Sequence, residues 1–176
     1  MKCRKTPIPA DSLTRQFLPA GYTDAFLCEI PAGATFSPDD LMISFWTVMP
    51  GWVNALFKLR NVLVKPFGLK GGHGMEQTFA GIGDAIRQSG QIRFISVPAK
   101  NPDETVVKLT DEHLDAYLSV YLEKEAAASS ATAITLVHFH NRLGRTYFFF
   151  IKPFHKIVVK SMLKNTIRRF LAASGG

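Results

Sequence analysis

Residues 137–155 read VHFHNRLGRTYFFFIKPFH, and the change of hydrophobic period inside them decides the fold. Val137 and Phe139 alternate with His138 and His140 as neighbours on a strand do. Asn141, Arg142 and Gly144 then form a turn, where glycine admits a tight backbone. Past the turn the spacing becomes helical, so the chain is predicted to close with a strand over 132–140 and a helix over 143–172. Pro153 removes one hydrogen bond inside that helix and predicts a kink. Lys152, Lys156, Lys160, Lys164 and Arg168 recur every four residues, opposite Phe150, Phe154, Ile157 and Ile167. The expectation is a solvated basic back on a helix whose phenylalanines pack against a sheet, with an anionic membrane surface as the alternative role for the basic stripe.

The strand before the closing one is the cleanest in the chain. Over 113–123, Leu114, Ala116, Leu118, Val120 and Leu122 share one face, and His113, Asp115, Tyr117, Ser119, Tyr121 and Glu123 share the other. One face is core and the other is wet or lines something. Residues 124–131, KEAAASSA, link it to the last strand as an antiparallel neighbour. If opposed residues sum to 253, Leu114 meets Phe139 and Ala116 meets Val137, while His113 meets His140 and Asp115 meets His138. That register gathers three histidines and a carboxylate, whereas a sum of 252 would split His138 from Asp115.

Two readings of the group follow. His113, His138 and His140 could hold a metal ion that activates water, with Asp115 orienting one ring. Otherwise His113 is a turn residue, and Asp115 with His138 is a hydrogen-bonded pair. Arg142 and Arg145 beside Asn141 are candidates for an anion or carbonyl clamp. Their plainer role is to tie down loops by pairing with Asp39, Asp40, Asp103 or Glu104.

Earlier in the chain, 22–30 is predicted as a strand with Tyr22, Phe26, Cys28 and Ile30 on one face. Ser37-Pro38-Asp39-Asp40 is a helix start, with a hydroxyl cap, proline in the first turn and carboxylates at the positive dipole end. That helix should run to about Val48. Trp52, Leu56, Leu59, Val62 and Leu63 predict a second helix, followed by the glycine loop at 70–74, KGGHG, which lacks the spacing of a phosphate-binding loop. A short strand or helical turn is expected within 75–90. Strands follow over 92–97 and 105–109, with turns at 101–103 and at Asp111-Glu112.

The order is strand, two helices, antiparallel strands and one long C-terminal helix, an α+β layout expected to form a single domain over 1–176 with residues 1–20 as an extended lead. This is the layout of the helix-grip fold of the START-like superfamily, which is birch-pollen-allergen-like and polyketide-cyclase-like. Beyond layout, the chain resembles the domain-of-unknown-function 2867 family over roughly 22–171. The resemblance rests on Met49-Pro50-Gly51-Trp52 with Leu59-Arg60-Asn61, on His113-Leu114-Asp115 with Ser119, and on the run 139–145, FHNRLGR, with Pro153-Phe154-His155. It implies a curved antiparallel sheet gripping the C-terminal helix around a cavity. Members of that family also occur fused behind an NAD-binding, epimerase-like domain, so the resemblance implies such a domain as a separate partner.

Composition bounds the rest. The chain has 176 residues, 47% of them hydrophobic and 20% charged, with a net charge of +7 and a pI of about 9.6. These are globular values, and the positive field favours anionic partners. Cys3 and Cys28 do not suggest a disulfide framework, and a reducing, cytoplasmic setting is expected. The basic N-terminus lacks the apolar segment of a signal peptide. No nucleophile elbow, carboxylate dyad or dinucleotide fingerprint is present, and no cofactor is expected. Nucleic acid is not expected either, because the aromatics concentrate in helical patterns. The function expected is binding of a small apolar or amphipathic molecule between sheet and helix. Trp52, Phe154, His138, Asp115 and His113 would line the site, with a polar head at His140, Asn141 and Arg145. The alternative is a cyclase, hydrolase or dehydratase using His113, Asp115, His138 and His140.

Overall fold

The computed structural model describes residues 2–31, 36–48, 50–53, 55, 81–124 and 129–174. Seven antiparallel strands form one sheet: β1 Cys3–Lys5, β2 Tyr22–Ile30, β3 Gln91–Ile92, β4 Ile95–Lys100, β5 Glu104–Thr110, β6 Leu114–Lys124 and β7 Ser129–Phe139. Their spatial order is β1-β2-β7-β6-β5-β4-β3. The first long strand therefore lies beside the last, in an α+β arrangement. Three helices are described, α1 Pro38–Thr47, α2 Ile82–Arg87 and α3 Arg142–Ser174. The second helix expected from Trp52 to Leu63 and the glycine loop at 70–74 fall largely outside the described residues; Gly51, Trp52, Val53 and Ala55 are described, and they are helical.

Local chemistry explains the boundaries. At the start of α1, Ser37 accepts from the Asp40 amide while the Asp40 carboxylate accepts from the Ser37 amide, a reciprocal capping box with proline in the first turn. Asn141 caps α3 by accepting a 2.9 Å hydrogen bond from the Gly144 amide. Gly144 is required there, because a Cβ would stand 2.2 Å from the His113 carbonyl oxygen. Between β6 and β7 the paired residues include Leu114 with Phe139, Asp115 with His138 and Leu118 with Thr135. All sum to 253, the register read from the aliphatic pattern.

The face of the sheet that carries Phe26, Cys28, Leu118, Val120, Leu122 and Ala133 packs on α1, α2 and the C-terminal half of α3. This inner face buries Leu41, Met42, Phe45, Val159, Met162, Leu163 and Ile167. Truncating one of the fully buried leucines, such as Leu163→Ala, costs about 2–5 kcal/mol by loss of transfer free energy and cavity formation.

The opposite, outer face is also covered. Residues 1–20 are not an extended lead. After β1 they make a 3₁₀ helix, Leu13–Phe17, and Ile8, Phe17 and Ala20 pack on Ala25, Tyr121, Ile134 and Leu136. Glu104, fully buried, fastens them: Ser12 Oγ donates to it at 2.8 Å, the Leu13 amide donates at 2.5 Å, and Ser119 Oγ donates as well. The carboxylate thereby satisfies an orphan amide at the start of the 3₁₀ helix, which no local sequence pattern encodes.

Two further expectations are corrected. Cys3 lies opposite Cys28 across the β1–β2 ladder, with Cα atoms 4.3 Å apart, and the two are joined as a disulfide. The strand expected over 92–97 is broken by a two-residue turn at Arg93 and Phe94, so that Ile92 pairs with Ile95. Arg93 there has φ of 53°, the left-handed conformation such a tight hairpin demands.

The long helix is rotated from the expected orientation. Phe148, Val159 and Met162 face the sheet. Phe149, Phe150, Phe154 and Ile157 face solvent, while Lys152 and Lys160 lie over the rings of Tyr22 and Phe26. Phe149, Phe150, Phe154 and Ile157 are therefore solvated where an inward apolar stripe was expected, although Ile167 is buried; of the basic stripe Lys152 and Arg168 are exposed and Lys156, Lys160 and Lys164 half-buried.

Candidate functional site

Of the expected group, His113, in the turn before β6, touches the start of α3 at Asn141 and Gly144, while Asp115, His138 and His140 lie on the outer face. Parity dictates this: Asp115 shares a face with Tyr117, Ser119 and Tyr121, and His138 with Ile134 and Leu136. The residues gather as the register requires and several have local partners, although Asp115 Oδ1 and His138 Nε2 are buried and make no hydrogen bond. Lys108 Nζ stands 2.9 Å from Asp115 Oδ2, and His140 Nε2 stands 3.4 Å from the same oxygen. His113 Nδ1 and Asn141 Nδ2 are 3.0 Å apart, in hydrogen-bond contact. His138 packs edge-on against Tyr117, whose ring stacks on Phe17. Burial pushes the Asp115 carboxyl upward, but Lys108, Thr110 and His140 outweigh it and leave its pKa below the ordinary value. A lysine at the carboxylate and an asparagine at His113 leave this group built for anchoring strand ends. Among the described residues no three such side chains converge as metal ligands.

The remaining expected residues separate. Arg145 stacks over Phe139 at 5.9 Å, and no salt bridge to Arg142 or Arg145 occurs among the described residues. Three of the four acids expected to hold them are engaged elsewhere, Asp39 by Lys100 and Thr105, Asp40 by the helix cap, and Glu104 by the N-terminal segment. Trp52 and Phe154 are 42% and 44% exposed and line no closed wall. Asn141 has a structural task as the helix cap.

The inner face holds a different cluster, which the sequence reading did not single out. Asp24 lies between Tyr22 and Phe26 on the inner side of β2, directly opposite Thr135 of β7. Its side chain is 1% exposed. Tyr22 Oη donates to Asp24 Oδ2 in a short hydrogen bond. His155, reaching down from α3, brings Nε2 to 3.6 Å from the same oxygen, beyond hydrogen-bond reach. Phe148 closes the group, with its ring 4.7 Å from Tyr22, 5.8 Å from His155 and 5.6 Å from Phe139.

Three buried polar atoms in this cluster have no hydrogen-bond partner: Asp24 Oδ1, Thr135 Oγ1 and His155 Nε2. Burial alone would push the Asp24 carboxyl up, but His155, Tyr22 and Thr135 together hold it below the ordinary carboxylate pKa. Burial and the adjacent carboxylate push the Tyr22 phenol up, so it remains a donor at neutral pH. The cluster thus presents an ionised carboxylate oxygen, a hydroxyl and an imidazole nitrogen inside an aromatic wall. The available signal was a carboxylate on a strand face that is otherwise apolar, two residues from Tyr22 and from Phe26. A shallow recess at the other end of the inner face, between Ile30, Phe36 and Leu122, has no comparable buried polar group.

Residues 17–162 match the family model described as "Protein of unknown function (DUF2867)". No curated protein matches the chain. The crystal structure of Ara h 8.0201 is similar at 15% identity and a TM-score of 0.27, covering 84% of this chain and 98% of that one.

Proposed function

This chain belongs to the family of unknown function DUF2867, and on that footing we propose that it binds a small amphipathic molecule between the sheet and the N-terminal half of α3. The observation that carries the reading is the buried, ionised Asp24, whose Oδ1 makes no hydrogen bond, beside Thr135 Oγ1 and the ion-paired His155 Nε2, which make none either. Leaving a buried polar group unsatisfied costs about 1–3 kcal/mol, and a bound head group that supplies the missing bonds recovers it. The acceptors set the head-group chemistry: a hydroxyl or amide that donates to Asp24. Its apolar tail would lie against Phe148, Phe139 and Tyr22, since such pockets take most of their affinity from apolar walls and their orientation from a few polar atoms. The polar head is therefore placed at Asp24, Thr135 and His155 rather than at His140, Asn141 and Arg145.

Calorimetric titration with 1-decanol and with decanoate tests this. The net charge of +7 favours the anion everywhere on the surface, whereas Asp24 repels it locally and accepts from the alcohol. The expected result is saturable binding of decanol, weaker binding of decanoate, and loss of that preference in Asp24→Asn. Equal binding of decanol by Asp24→Asn and the unmodified protein would refute the placement.

A further inference from the structure

The solvent side of α3 carries an apolar ridge that the ligand reading leaves unused. Phe150, Phe154 and Ile157 follow one another at helical spacings of four and three, with Phe149 beside them. They are 60%, 44%, 58% and 71% exposed. Single exposed apolar residues are ordinary, but three large ones in a line on one helix, with Phe149 on their flank, mark an interaction surface.

Charge identifies the partner. The 33 residues of α3 contain eight lysines and arginines and no aspartate or glutamate. At 100° per residue, Lys156, Lys160 and Lys164 run along one flank of the ridge, between it and the sheet. Lys5 pairs with Phe26, whose ring Lys160 covers, and so adds a cation on the same side. A second copy docking through this ridge would bring these like charges together, which disfavours self-association. Among the described residues no helix is long and apolar enough to cross a membrane. A helix lying in the interface needs neither that length nor uniform apolarity: it needs aromatic side chains to enter the acyl boundary and cations beside them to meet the lipid phosphates.

We infer that α3 docks the protein onto anionic lipid bilayers, with Phe149, Phe150, Phe154 and Ile157 inserted and the flanking lysines at the headgroups. Sedimentation with vesicles of phosphatidylcholine containing one third phosphatidylserine tests it, with pure phosphatidylcholine vesicles as reference. The unmodified protein is expected to pellet with the anionic vesicles and to be released by high salt. Phe150→Ser/Phe154→Ser should lower the partition coefficient by about tenfold or more through lost apolar burial. Lys156→Glu/Lys160→Glu should lower it by about tenfold. The phenylalanine variant should keep the parent melting temperature, since Phe150 and Phe154 contribute little to the core. Protein that stays in the supernatant with anionic vesicles, or phenylalanine variants that pellet like the parent, would overturn the inference. So would a dimer seen by sedimentation equilibrium that Phe150→Ser/Phe154→Ser dissolves while vesicles are not bound, because the ridge would then be a contact between copies. Decanol binding at Asp24 does not enter these readouts, so the two proposals fail separately.

Discussion

Glu104 and Asp24 are both buried carboxylates on the same sheet, and they have been completed in opposite ways. Glu104 faces outward, and both its oxygens are occupied, by the hydroxyls of Ser12 and Ser119 and the amide of Leu13. Asp24 faces inward, and only Oδ2 is engaged, by Tyr22, with Oδ1 left without a partner. A buried acid whose bonds are all made within the protein fastens structure. One whose bonds are half made stands ready for something else. The outer histidine group is intermediate: Lys108 and Asn141 engage Asp115 Oδ2 and His113, while Asp115 Oδ1 and His138 Nε2 make no hydrogen bond.

Matched amide substitutions break or sharpen this contrast. Glu104→Gln should have the largest effect, about 3 kcal/mol of lost stability in urea denaturation. It replaces a charged acceptor with an amide that must set a donor against either the Leu13 amide or two seryl hydroxyls. Asp24→Asn should cost about 1 kcal/mol in the same measurement, because Oδ1 has no donor to lose and the remaining carbonyl still accepts from Tyr22. Equal losses at the two positions would dissolve the distinction.

Acid titration gives a smaller, signed effect. Asp24 and Asp115 both have folded pKa values below the ordinary 3.8. Their contribution to stability is therefore complete above that value and is lost as pH falls below it through the lowered folded values. Melting temperatures measured between about pH 3 and pH 6 should fall on the acid side, and the fall should be shallower in Asp24→Asn and in Asp115→Asn. A slope unchanged by either substitution would mean that the carboxylate is not held ionised by its neighbours.

Much of the fold was legible because alternation is unforgiving: the aliphatic faces of β6 and β7 made a sum of 253 self-consistent, and of the two registers open to the sequence, 253 and 252, it is the one adopted. The cap at Ser37 and the glycine at the start of α3 were equally local. Which face the helix covers was not legible, because parity groups residues without saying what lies above them. Here both faces are buried, the outer one by a segment whose anchor, Glu104, is 92 residues from Ser12. The group of Asp115, His138 and His140 was therefore assembled in the right register and assigned to the wrong side. The orientation of α3 failed for a related reason. Its aromatic residues surround the helix, and only Asp24, waiting on β2 for His155, distinguishes the inward side. The disulfide escaped because a cysteine in a short N-terminal strand gives no sign of the edge it will join.

The central claim is that the inner cluster, not the outer histidines, receives the ligand. Long-range ¹H–¹⁵N spectra of the imidazole rings, recorded while 1-decanol is added, test it most directly. The account predicts that the His155 signals move with saturation while those of His113, His138 and His140 stay in place. Movement of the three outer histidines with His155 unchanged would contradict it.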